Sequence, residues 1–169
     1  MATNSSDIYT GQIAHPETLF DSGQLGGRIR AVIGTVAIAA TDLAADGDTV
    51  KLCALPGAAR ITSIKILNTA LSAAASDCDI GIWTHKGALI DENEFADNVT
   101  AFNAAVEVPT EYLGSGIAGG SVNLETTLWQ RAGAAIDTGV LYDIVIAQTA
   151  TATTPATGTL EFVIEFTIS

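Results

Sequence analysis

In GTLEFVIEFTIS, Leu160, Phe162, Ile164, Phe166 and Ile168 alternate with Glu161, Val163, Glu165 and Thr167. Period two of this kind predicts a strand with one face on a core and the other outward. The same alternation recurs in Asp77 to Thr84, where Cys78, Ile80 and Ile82 point one way and Asp77, Asp79 and Gly81 the other. It recurs again in Val140 to Gln148, with Val140, Tyr142, Ile144 and Ile146 on one face. The β-formers Ile29, Val32, Ile33, Val36 and Ile38 predict one long strand or two from Arg28 onward. Strands are also expected over 48–55 and 60–69, joined by the turn Pro56-Gly57-Ala58, in which Pro fixes φ and Gly tolerates a positive one. A further strand is expected over 124–131, carrying Trp129.

Between these elements lie turn and loop signals: Asp46-Gly47, His85-Lys86-Gly87, the stretch 110–120 and the Thr/Ala-rich run around Pro155. One segment, 91–103, is expected to form a short helix or ordered loop; Asp91, Glu92, Glu94 and Asp97 crowd there, with Phe95 and Phe102 as apolar anchors. Six to eight strands at short spacing with little helix predict an all-β fold, an antiparallel β-sandwich, with a jelly roll as the natural form at this length. Residues 1–27 break the pattern. They are polar, with single apolar residues Ile8, Tyr9, Ile13, Leu19 and Phe20, and read as an extended N-terminal arm preceding one sandwich domain over 28–169.

Composition narrows the function. The 169 residues are 48% hydrophobic but only 6% aromatic, so Ile, Val, Leu and Ala must fill the interior. The net charge of −12, with Arg131 the only base after Lys86, leaves no cationic stripe for phosphates, so neither nucleic acid nor an anionic membrane is an expected partner. The longest nearly apolar run, 31–40, is too short to span a bilayer. MATNSSDIYTGQ has no basic n-region and no apolar h-region, so Sec export is not expected.

Candidate chemistry is sparse. GSGIAG, 114–119, matches a dinucleotide-loop spacing but lacks the strand before it and helix after it that such a site needs. Asp42 with Asp46-Gly47-Asp48 has part of a calcium-loop pattern without its alternating ligands and final Glu. The acidic group at 91–97 suits a solvated face better than a cation site. His15 and His85 have no evident nucleophile partner. Cys53 and Cys78 read as buried thiols, a cross-strand disulfide being the alternative. Trp83 and Trp129 read as core. No cofactor, metal or enzymatic activity is expected.

The run GDTVKLCALPGAARITSIKI, followed by DCDIGIW and ALIDENEFAD, resembles the head decoration (cement) proteins of tailed bacteriophages, which are encoded near the major capsid protein. The residues carrying the resemblance are Asp48, Val50, Leu52, Leu55, Pro56, Gly57, Ala58 and Ile61, then Asp79, Ile80 and Gly81, then Ile90, Asp91 and Phe95. It extends over 29–169 and leaves the arm out. It implies a structural virion protein, made in the host cytoplasm, that assembles as a homo-oligomer, a trimer first, on the outer capsid surface and bridges major capsid protein subunits. On that reading Ile8, Tyr9, Leu19 and Phe20 are the expected partner contacts. The rivals are another virion part (tail, neck or head fibre), a carbohydrate-binding module, and a glycoside or ester hydrolase.

Overall fold

The computed structural model describes residues 28–71, 77–117 and 122–168. The partner-contact residues expected in the arm, Ile8, Tyr9, Leu19 and Phe20, lie outside them, as does His15. The described residues form eight strands: β1 (Arg30–Ile38), β2 (Thr49–Pro56), β3 (Ala59–Asn68), β4 (Cys78–Thr84), β5 (Leu89–Val99), β6 (Val106–Glu111), β7 (Leu141–Gln148) and β8 (Gly158–Ile168). They form two four-stranded antiparallel sheets, in the orders β1-β8-β3-β6 and β2-β7-β4-β5. Only β4 and β5 are both consecutive and paired; every other connection crosses between the sheets. That interleaving is the double Greek key of a jelly roll.

The opening turn of this pattern shows how the crossing works. β2 and β3 are separated by only Gly57 and Ala58, yet they do not pair. β2 joins β7 in one sheet, while β3 joins β8 and β6 in the other. The two strands therefore bring Val50 and Leu55 from one side, and Ile61, Ile64 and Ile66 from the other, into one core. β8 fills the centre of its sheet as its alternation requires: Leu160, Phe162, Ile164 and Phe166 are buried and Glu161 is exposed. Gly34 of β1 lies opposite Phe162, and a Cβ there would come within 2.5 Å of the ring, so only glycine leaves that space free.

Two expectations are corrected. The stretch around 91–103 is not helical for most of its length. Leu89–Val99 is β5, and only Ala101–Asn103 makes a 3-10 turn, which buries Phe102. Residues 124–131 are not a strand. Leu128–Arg131 is a single helical turn, α1, preceded by Thr127, whose backbone N–H donates to Gln130 Oε1 at 3.0 Å. Thr-x-x-Gln is a capping box, which ties off the first amides of a helix and opposes an extended backbone. Trp129 sits on α1, half-buried against the core, and its backbone N–H donates to Gly57 O at 3.1 Å. The stretch from 110, expected as a loop, begins inside β6.

Candidate functional site

Sheet β2-β7-β4-β5 has an outer face that the alternation of its strands assigns to solvent. The structure covers much of it. Trp83, Val145 and Ala147 form a small apolar cluster there, apart from the main core. Asp79 and Asp143 are also buried on this face. A buried carboxylate needs partners, and the two acids find different ones.

Asp143 is 4% exposed at its side chain. Its two oxygens are taken by Lys51 Nζ and His85 Nδ1, each at 2.7 Å. A carboxylate only accepts hydrogen bonds, so His85 Nδ1 must carry the proton and the Nε2 edge is left facing outward. Burial pushes the Asp143 carboxyl up. The hydrogen bonds and charges of Lys51 and His85 outweigh burial and hold it below its ordinary value. Asp79 accepts a backbone N–H from Asn98 at 2.8 Å. Burial raises its carboxyl, the Asn98 bond opposes this, and the charges of Asp97, Glu92 and Asp77 add to the rise.

The two shifts have opposite consequences for stability. A raised carboxyl binds its proton more tightly folded than unfolded, so Asp79 weakens the fold above its folded pKa and the weakness is relieved as pH falls toward the ordinary value. A lowered carboxyl stabilises the fold above the ordinary value, and that gain is lost as pH falls through its folded pKa. Stability is therefore expected to rise from pH 7 into mild acid and fall below about pH 4, the ordinary Asp range. Asp79→Asn keeps an oxygen for Asn98 and should raise Tm at pH 7 while flattening the rise on acidification. Thermal melts from pH 3 to 8 check this; an unchanged slope in the variant contradicts it.

The other sequence-level candidates resolve into structural roles. Asp42 Oδ2 accepts Ala39 N–H at 2.8 Å, and Asp48 Oδ2 accepts the N–H groups of Ala44 and Ala45 at 3.0 and 2.7 Å. These carboxylates brace the β1–β2 loop. Of the acidic group, Glu94 pairs with Arg131, whose guanidinium lies 5.4 Å from the Phe95 ring centre. Among the described residues no cluster of three or more His, Cys, Asp or Glu converges as for a metal ion. The described part of the Gly-rich stretch is a turn, with Gly114 and Gly116 at positive φ, lying along the edge of β5: Gly114 N–H donates to Phe95 O and Asp97 N–H to Ser115 O.

Cys53 and Cys78 are free thiols, and burial first, with nearby carboxylates second, pushes each up to about 12. Among the described residues no helix is long and apolar enough to cross a membrane.

Among the described residues the large exposed apolar side chains are all aliphatic: Ile29, Ile33, Leu89, Val108, Leu124, Ile136, Val140 and Leu141. Edge strand β6 carries Pro109, which cannot donate to an added strand, and edge strand β5 is covered by the turn at 114–116. Edge strand β1 has nine residues, no proline and an Ile33 that is 75% exposed.

No family model matches the chain, and no curated protein matches it. Among solved structures, a chain of the cyanophage Pam1 capsid asymmetric unit is similar at 18% identity and a TM-score of 0.55, covering 99% of both chains. A chain of the capsid of Ralstonia phage GP4 is similar at 16% identity and a TM-score of 0.61, covering 85% of this chain and 86% of that one.

Proposed function

We propose that this protein is a structural component of a bacteriophage virion. On this reading it sits on the outer surface of the capsid, bridges subunits of the major capsid protein and so stabilises the shell. The observation that carries the reading is the end-to-end likeness to a chain of a phage capsid, 99% of each chain, together with a second likeness to a chain of another phage capsid. A shared fold alone assigns no function. Three further features support the assignment: the resemblance of 29–169 to decoration proteins, the aliphatic side chains exposed among the described residues, and the acidic charge.

The mechanism is linkage. A protein that binds only the assembled shell stabilises that state by its own binding free energy. Ile29, Ile33, Val108 and Ile136 provide aliphatic area for contacts with neighbours, and the arm residues Ile8, Tyr9, Leu19 and Phe20 extend that reach. Self-association as a trimer would present three such surfaces at a local threefold position. The aromatic side chains described are buried or half-buried, which gives a sugar-stacking module no exposed platform.

The test is co-sedimentation of the purified protein with phage heads that lack it, at physiological salt. Saturable binding is expected, with loss of binding on removing residues 1–27. Capture instead by purified tails or host glycans, with none by heads, contradicts the proposal.

A further inference from the structure

The strand registers sort the loops into two ends of the sandwich. Arg30 lies opposite Phe166, Ala59 opposite Ile168, Pro56 opposite Leu141, Thr84 opposite Tyr142 and Trp83 opposite Leu89. Residues 28–30, 57–60, 84–89 and 132–141 therefore share one end. Residues 39–48, 69–71, 77, 100–105 and 149–157 share the other. Charge divides the same way. The first end carries Arg28, Arg30, Arg60 and Lys86, four of the seven Lys and Arg in a chain of net charge −12. The one acid in those segments is Asp137, whose Oδ1 accepts Gly139 N–H at 2.8 Å. The second end carries Asp42, Asp46, Asp48 and Asp77, and its segments hold no Lys or Arg.

The apolar surface follows the bases. Among the described residues, Ile29, Leu89, Ile136, Val140 and Leu141 are exposed at the basic end, and no large aliphatic side chain is exposed at the acidic end. Val140 and Leu141 form the wall of an open groove of about 400 Å³, which Thr84, His85, Lys86 and Tyr142 complete. Lys86 has no ion-pair or hydrogen-bond partner among the described residues. An aliphatic centre with a charged rim is the anatomy of a protein–protein contact. A second copy of this chain does not complement it. Two basic ends would set Arg30, Arg60 and Lys86 against like charge, and the acidic end has no exposed aliphatic patch to match. The complement is a different protein surface, aliphatic in the middle and acidic around it.

We propose that the basic, aliphatic end is the face that docks on an acidic, aliphatic surface of a major capsid protein subunit. The sandwich then stands upright on the shell, with loops 39–48 and 149–157 pointing away from it. This inference rests on the capsid reading and adds to it which end meets the shell. A net charge of −12 alone would repel an acidic partner; four bases gathered at one end orient the approach. The described body begins at Arg28 on this same end, so the 27 residues before it are attached beside the docking face.

The test titrates the full chain against phage heads that lack it and reads Kd by co-sedimentation. Lys86→Glu should weaken binding at least about fivefold, because it sets like charge against the acidic partner. Val140→Asp should weaken it at least about tenfold, because it puts an unpaired carboxylate into the apolar centre. Asp46→Lys, an exposed change at the opposite end, should leave Kd within about twofold. All three positions are exposed, and an unchanged Tm for each variant shows that its fold is intact. Wild-type binding, with Lys86→Glu and Val140→Asp both within about twofold of it, overturns this inference and leaves the capsid reading standing. So does weakening by Asp46→Lys alone, which would turn the acidic end to the shell. Sedimentation velocity of the free protein gives a third arm: an oligomer that Lys86→Glu and Val140→Asp dissociate would make this end a contact between copies and overturn the inference. Wild-type protein that binds no heads at all overturns the capsid reading, and this inference with it.

Discussion

Glu94→Ala is expected to destabilise the protein by about 3–5 kcal/mol, the cost of leaving a buried charge without its partner. The Arg131 side chain is only 4% exposed, against 20% for Glu94. Among the described residues Glu94 is its one charged partner; Arg131 also donates to Asn123 O, and its Nε finds no acceptor there. Removing the carboxylate leaves the guanidinium over the Phe95 ring without its charged partner. At this chain length the loss corresponds to roughly 10 °C in Tm. Glu94→Ala with Arg131→Met removes both charges and keeps an apolar stem against Phe95, so most of the lost stability should return. Melts of the two variants decide it: a single variant within about 1 kcal/mol of wild type, the range of an exposed pair, would mean that Arg131 is solvated in practice.

The second large effect is expected at Gly81, in the middle of β4. A Cβ built there meets the backbone oxygens of Asp91 and Glu92 at 2.2 and 2.3 Å. These are main-chain atoms of β5, so no rotamer change relieves the contact. The pairing of β4 and β5 explains the crowding: Ile80 lies opposite Ala96 and Ile82 opposite Asp91, so five steps of β5 are matched to two of β4. The surplus residues of β5 arch over Gly81. Gly81→Ala should therefore cost about 3 kcal/mol, the upper end for overpacking, and should loosen the β4–β5 hairpin first. Hydrogen exchange of the amides in 89–99 reads this directly. Protection equal to wild type in a stable Gly81→Ala protein would mean that β5 does not arch as described.

Both effects fall in the part of the chain that its sequence makes hardest to read. The strands with strict alternation, β4, β7 and β8, are legible because their inward residues need only a core of one kind. Leu89–Val99 is not, because the arch over Gly81 interrupts its period. Its buried residues Phe95, Ala96 and Val99 then fall at no regular spacing, and four acids suggest a solvated surface. α1 is too short for helical periodicity; its legible signal is the capping box of Thr127 and Gln130, which outweighs the β-like look of its neighbours. Alternation places Asp79 and Asp143 outward, and it does so correctly. It carries no information on whether that face is covered, so their burial emerges only from the fold. The pairing of Lys51 and His85 with Asp143 joins residues 92 and 58 positions apart, and no local pattern encodes it.

The jelly-roll order follows from the same physics. Turns as short as Gly57-Ala58 serve equally for hairpins and for crossings between sheets, so a list of strands does not fix which strands pair. Here β2 and β3 lie in opposite sheets, and both place apolar residues into the core between them.

The central claim is that the protein occupies the outside of a phage head and bridges its subunits. Image reconstruction of heads with and without the added protein tests it most directly. New density is expected at one class of outer lattice position, touching two or more major capsid protein subunits, in a copy number that saturates. Heads that remain bare at saturating protein, with the density found on tails instead, would contradict it.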